Sequence, residues 1–116
     1  MNTTVRLAPR LPMILALALA SFPATLPAAA DDAASVTMTK GGFQPSTITV
    51  KAGVKVKLSV HNAQSDAAEF ESAELNREKV IPPGGSATVY IGPLEPGSYG
   101  FFDDFHPSST GRIVAK

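Results

Sequence analysis

VKVKLSV, residues 54–60, alternates without a break: Val54, Val56, Leu58 and Val60 point one way, Lys55, Lys57 and Ser59 the other. A period of two marks a half-buried β-strand, because successive side chains leave opposite faces of an extended backbone. The same reading extends outward. SVTMT (35–39) puts Val36 and Met38 on one face, and TITV (47–50) is a short strand between two turns, GGFQP (41–45) and KAG (51–53). AEFES (68–72), SATVYIG (86–92), SYGFFD (98–103) and GRIVAK (111–116) complete the set, with PLEPG (93–97) joining two of them. No segment sustains a helical period, although ESAELNREK (71–79) could form one helical turn. Short strands at this spacing, punctuated by Pro and Gly, predict an all-β chain folded as an antiparallel sandwich.

The strands begin late. Arg6 and Arg10 precede a short apolar run, Leu11 to Ala20, and LPAAA (26–30) ends on small residues. That is the layout of a secretory signal peptide, so residues 1–30 are read as a cleaved leader and 31–116 as one domain. Pro12 and Pro23 bracket too little apolar sequence for a membrane span, which needs about twenty residues. The expectation is an exported protein, periplasmic in a Gram-negative source. With no cysteine, no disulfide can reinforce so small a domain. Residues 31–116 carry eight basic against ten acidic side chains, with no basic patch for nucleic acid.

Two acidic groups stand out. In SYGFFDDFH (98–106), Tyr99, Phe101 and Asp103 share one face, and the bulk of the rings turns that face inward. Asp103 then sits among rings at a strand end, where an unpaired carboxylate costs several kcal/mol. A metal, a cation or backbone N–H donors would relieve that cost. His106, expected in the following loop, could reach the same spot. In the alternative, Asp103 merely caps the loop and His106 is exposed. The second group is Glu69, Glu71, Glu74 and Glu78. Glu69 and Glu71 share a face opposite Phe70, as a solvated outer surface or, beside Asp103 and His106, as hard oxygen ligands. Carboxylates with an imidazole suit iron, manganese or zinc better than copper(I). Lys79 could instead neutralise a glutamate, and Glu78 could pair with Arg77. His61 continues the solvent face of its strand, and Met38 belongs to the core. Ser108, Ser109 and Thr110 read as loop, with no base to make a nucleophile of any of them. No glycine-rich phosphate loop leads into a helix.

Tyr99 to His106, followed by Gly111 and Ile113–Val114, resembles the C-terminal ligand loop of cupredoxins, whose blue-copper pattern is Y-x-F-x-C-x-x-H, then a methionine. GGFQPSTITVKAGVKVKLSVHN (41–62) is similar to the opening of the same family. The resemblance implies a cupredoxin-like Greek-key β-sandwich over the whole of 31–116. It also exposes departures. Asp103 stands where the copper cysteine would be, Ala68 where the first histidine would be, and no methionine follows His106. A type 1 copper site needs the thiolate and is excluded.

EFES…LNREKVIPPG and FFDDFHP resemble, more narrowly, the EfeO-type cupredoxin-like domains, including small periplasmic proteins of bacterial ferrous-iron uptake. That resemblance implies a partner of an iron permease system that binds iron or copper and could aid Fe(II) oxidation before transport; it does not define an enzyme. The ligands expected are Glu69, Asp103 and His106, with Glu71 and Asp104 in reserve. The rival expectation is a metal-free interaction module that keeps the sandwich and docks a membrane partner.

Overall fold

The computed structural model describes residues 2, 4–9, 12, 16, 18, 20–23 and 32–116. The leader, its cleavage point after Ala30 and the expected new terminus at Asp31 fall largely or wholly outside the described residues. The described residues form nine strands: β1 (Asp32–Thr39), β2 (Gly42–Gln44), β3 (Thr47–Val50), β4 (Val56–Asn62), β5 (Ala68–Ser72), β6 (Arg77–Ile81), β7 (Ser86–Ile91), β8 (Gly97–Asp103) and β9 (His106–Ala115).

They form two sheets, ordered β2-β1-β4-β7 and β3-β9-β8-β5-β6. The inner faces meet on the residues that alternation selects: Val56, Leu58 and Val60 of β4 are fully buried, as are Phe70, Ile81 and Ile113 on the opposing sheet. Met38 joins this core as expected. Phe101 is the hub of an aromatic trio, 4.7 Å edge-on from Phe43 and 5.1 Å from Phe70. Edge-to-face contact places a ring's positive rim on its neighbour's negative face.

Four local expectations change. The sandwich is mixed, not wholly antiparallel: β1 runs parallel to β4, and β3 parallel to β9. Each parallel pair joins strands separated in sequence, which alternation cannot register. GGFQP is no simple turn, since Gly42–Gln44 pairs with β1. ESAELNREK forms no helical turn; residues 73–76 turn and Arg77 onward pairs with β5. Finally, His106 opens β9, and Ser108–Thr110 lie in that strand and not in a loop.

Candidate metal centre

Strand pairing sorts the polar residues onto two sides of the five-stranded sheet. Asp103 is paired with Phe70, so both turn toward the core, and Asp103 is 1 % exposed. Glu69 and Glu71 flank Phe70 and therefore leave β5 on the outer side. Asp104, in the two-residue turn between β8 and β9, swings its carboxylate onto that outer side. One oxygen each from Glu69, Glu71 and Asp104 lies within 4.8 Å of the others. Glu78 comes beside them because β6 registers it opposite Glu71. It does not pair with Arg77, whose guanidinium donates to the carbonyls of Tyr90, Leu75 and Asn76.

Crowding of like charges sets the protonation of this group. A hydrogen bond shared with Glu78, then burial, then the charges of Glu78, Asp104 and Glu71 push the Glu69 carboxyl up to about 7. Such a bond requires the Glu69 carboxyl to hold a proton. Burial first, and then Asp104 and Glu78, also raise Glu71. Lys79 forms no ion pair with these glutamates; among the described residues the ion pairs are those of His106. A cleft of about 220 Å³ lined by Glu71, Ser72, Ala73, Asn76, Arg77 and Glu78 borders the cluster.

The other expected ligands meet on the inner side. Asp103 Oδ1 accepts the backbone N–H groups of Glu69 at 2.9 Å and Phe105 at 3.0 Å. Its Oδ2 lies 2.7 Å from His106 Nδ1 and accepts more weakly from Gln64 Nε2 at 3.4 Å. Burial works to raise the Asp103 carboxyl, but the bonds from Glu69, His106, Phe105 and Gln64 prevail and hold it below the usual range. His106 Nε2 meets Asp66 at 2.8 Å. Asp103 foremost, then Asp66, raise the imidazole against the opposing effect of burial. Asn62, fully buried, shapes the loop that delivers Gln64 and Asp66: its amide donates to the carbonyls of Asp66, Ile81 and Pro82, and its oxygen accepts from Gln64 N. His61, by contrast, faces outward and bonds Ser86 Oγ at 2.8 Å.

The five expected residues thus form two groups. Glu69, Glu71 and Asp104 converge on the outer side, while Asp103 and His106 bind each other on the inner side. Glu78, Gln64 and Asp66 complete these groups. Glu78 was visible in the sequence as an acid, but only the β5–β6 register brings it to Glu71. Gln64 and Asp66 carried no signal, because their role depends on a loop held by Asn62.

Comparison with known proteins agrees with this architecture. The cupredoxin-like domain family model matches residues 11–115, and the chain belongs to that family. An uncharacterised protein of Rickettsia prowazekii (strain Madrid E) is 35 % identical over 79 residues, 68 % of this chain; the match spans 63 % of that relative's length. Among solved structures, the metal-binding domain of the Cu(I)-exporting P-type ATPase CopA of Streptococcus pneumoniae, with Cu(I), superposes with a TM-score of 0.66 at 17 % identity, covering 72 % of this chain and 84 % of that one. Amicyanin from Paracoccus versutus gives 0.59 at 19 % identity, covering 77 % and 86 %.

The donors present decide which metal chemistry fits. There is no cysteine, so no type 1 copper site. Among the described residues no buried side-chain nitrogen or oxygen is left unpaired, and the inner group is already satisfied internally. The outer group is all oxygen and crowded with negative charge, a donor set for a hard cation.

Proposed function

We propose that this chain is an exported, periplasmic metal-binding protein of the EfeO type that serves iron acquisition, holding a hard cation on Glu69, Glu71 and Asp104 for an iron permease system. One observation carries the reading: three carboxylate oxygens lie within 4.8 Å of one another, with Glu69 pushed up to about 7. Mutual repulsion of this kind is relieved when a cation replaces the shared proton. Oxygen donors favour iron over copper(I), and they would stabilise bound iron as Fe(III), lowering its potential so that an external acceptor such as dioxygen could take the electron from bound Fe(II). The leader-like N-terminus supports export, and intact-mass measurement of the exported protein should give Asp31 as the first residue.

The deciding test is native mass spectrometry and calorimetric titration of the purified protein with Fe(II) under anaerobic conditions, Fe(III) supplied as citrate, Mn(II) and Cu(II). Stoichiometric binding that Glu69→Gln weakens by at least about tenfold is expected. No binding by the parent, or binding indifferent to Glu69, ends this reading. Absence of binding would favour the metal-free docking module, which the mutual satisfaction of Asp103, His106 and Asp66 supports; binding indifferent to Glu69 would place the metal on other residues.

A further inference from the structure

Glu69 is held by its backbone from the opposite side of the sheet. Its N–H donates to Asp103 Oδ1 at 2.9 Å, and its carbonyl accepts from Asp104 N at 3.0 Å. The same Asp103 oxygen accepts Phe105 N–H at 3.0 Å. One buried carboxylate therefore grips β5 at Glu69 and the turn on the far side of Asp104. These are the two segments that supply carboxylates to the outer cluster. Regular pairing between β5 and β8 covers just Phe70 with Asp103 and Glu71 with Phe102, so little else fixes Glu69 relative to the turn.

We infer that Asp103 is a positioning residue, a bracket that sets the separation of the Glu69 and Asp104 carboxylates without itself binding the cation. The inference rests on the metal reading above and goes beyond it. The expected cation would lie on the outer side, whereas both Asp103 oxygens are committed on the inner side to the N–H groups of Glu69 and Phe105, to His106 and to Gln64. His106, Asp66 and Gln64 in turn hold the bracket's orientation, linking the 63–67 loop to the outer site by a continuous chain of hydrogen bonds. Groups one layer behind a ligand commonly govern its aim and the affinity of the site.

The test separates a bracket from a ligand by what each needs from residue 103. A bracket needs an acceptor oxygen; a ligand needs the negative charge. In the full chain, Asp103→Ala should weaken Mn(II) binding by about tenfold or more. It should also speed amide exchange at Glu69, Asp104 and Phe105 by about tenfold, while amides of β4 and β7 keep their protection. Asp103→Asn keeps the acceptor oxygen and should restore both readouts to within about threefold of the parent. Should Asp103→Ala fail to fold, Asp103→Ser, whose oxygen is too short to span both amides, takes its place. Mn(II) affinity in Asp103→Asn as weak as in the truncated variant, with its amides still protected, would make Asp103 a ligand and overturn the inference. Parental affinity in the truncated variant would overturn it too. A parent that binds no Mn(II) counts against the metal reading alone, because exchange at the three amides, measured without metal, still accepts or rejects the bracket.

Discussion

At Glu69 the backbone and the side chain do different work. The N–H and C=O are tied to Asp103 and Asp104, which fixes where the residue sits. The side chain is left among like charges, with the carboxyl raised to about 7 by the bond to Glu78, burial and the neighbouring acids. A carboxyl whose folded pKa exceeds its unfolded value binds more protons in the native state. Its contribution is therefore complete below the ordinary carboxylate range and is lost as pH rises through about 7. Glu69→Gln cannot ionise and escapes that loss. In metal-free protein the variant should match the parent in melting temperature at about pH 4 and exceed it at about pH 8. Thermal melts in the presence of a chelator check this. A variant no more stable than the parent at the higher pH would mean that the Glu69 carboxyl is not raised in the folded protein. On the proposed reading the same substitution should weaken cation binding, so the residue would cost stability in the empty protein and serve the loaded one.

Between β5 and β8, side chains take over where strand pairing stops. Ser72 Oγ donates to the Gly100 carbonyl at 2.6 Å and accepts Leu75 N–H at 3.2 Å, while Glu74 Oε2 accepts Gly100 N–H at 2.7 Å. Ser72 is 1 % exposed, so Ser72→Ala leaves polar backbone groups without partners and should cost about 1–3 kcal/mol in denaturant unfolding. The next strand supplies a complementary case. A Cβ added at Gly111 would lie 2.4 Å from Phe101 Cζ and 2.9 Å from the Ser46 carbonyl. Gly111→Ala must displace the central ring of the aromatic trio and should cost about 1–3 kcal/mol or more, read the same way. These elements also show what was legible beforehand. Unbroken alternation in VKVKLSV placed β4, and the bulk of Tyr99 and Phe101 on one face of SYGFFD placed β8 and turned Asp103 inward, because burial on one face writes a period of two into the sequence. REKVI carries no such period: β6 is an edge strand exposed at every position except Ile81, so a helical turn looked equally compatible. The candidate site was half legible for the same reason. The face of Glu69 and Glu71 follows from alternation. Which acids approach them depends on the β5–β6 register and on a tight turn, neither of which leaves a local pattern.

Across the molecule the titrating groups lie on both sides of one sheet and oppose each other in pH. Asp103 is held below the usual range, so its contribution is present above ordinary carboxylate pH and is lost as pH falls through its folded value. His106 is raised, principally by Asp103; its contribution is complete below its ordinary value of 6.5 and disappears as pH climbs through the folded one. Glu69 and Glu71 are raised as well, so they too withdraw stability with rising pH. The metal-free protein should therefore be most stable in mildly acid solution, with Asp103 protonation limiting it on one side and the outer cluster and His106 on the other. On the proposed reading a cation changes only one of those limits. It would bind the ionised outer carboxylates, compete with their protons, and stabilise the native state by an amount that grows as its affinity rises with pH. Melting temperatures between about pH 2 and pH 9, with and without Mn(II), should show metal stabilisation that is negligible at the acid end and largest above about pH 7. The optimum should shift upward accordingly, while the acid limb set by Asp103 stays where it was. Metal stabilisation of equal size across the whole range would place the cation on groups other than Glu69 and its neighbours. Loss of the acid limb on adding metal would instead bring Asp103 itself into the site.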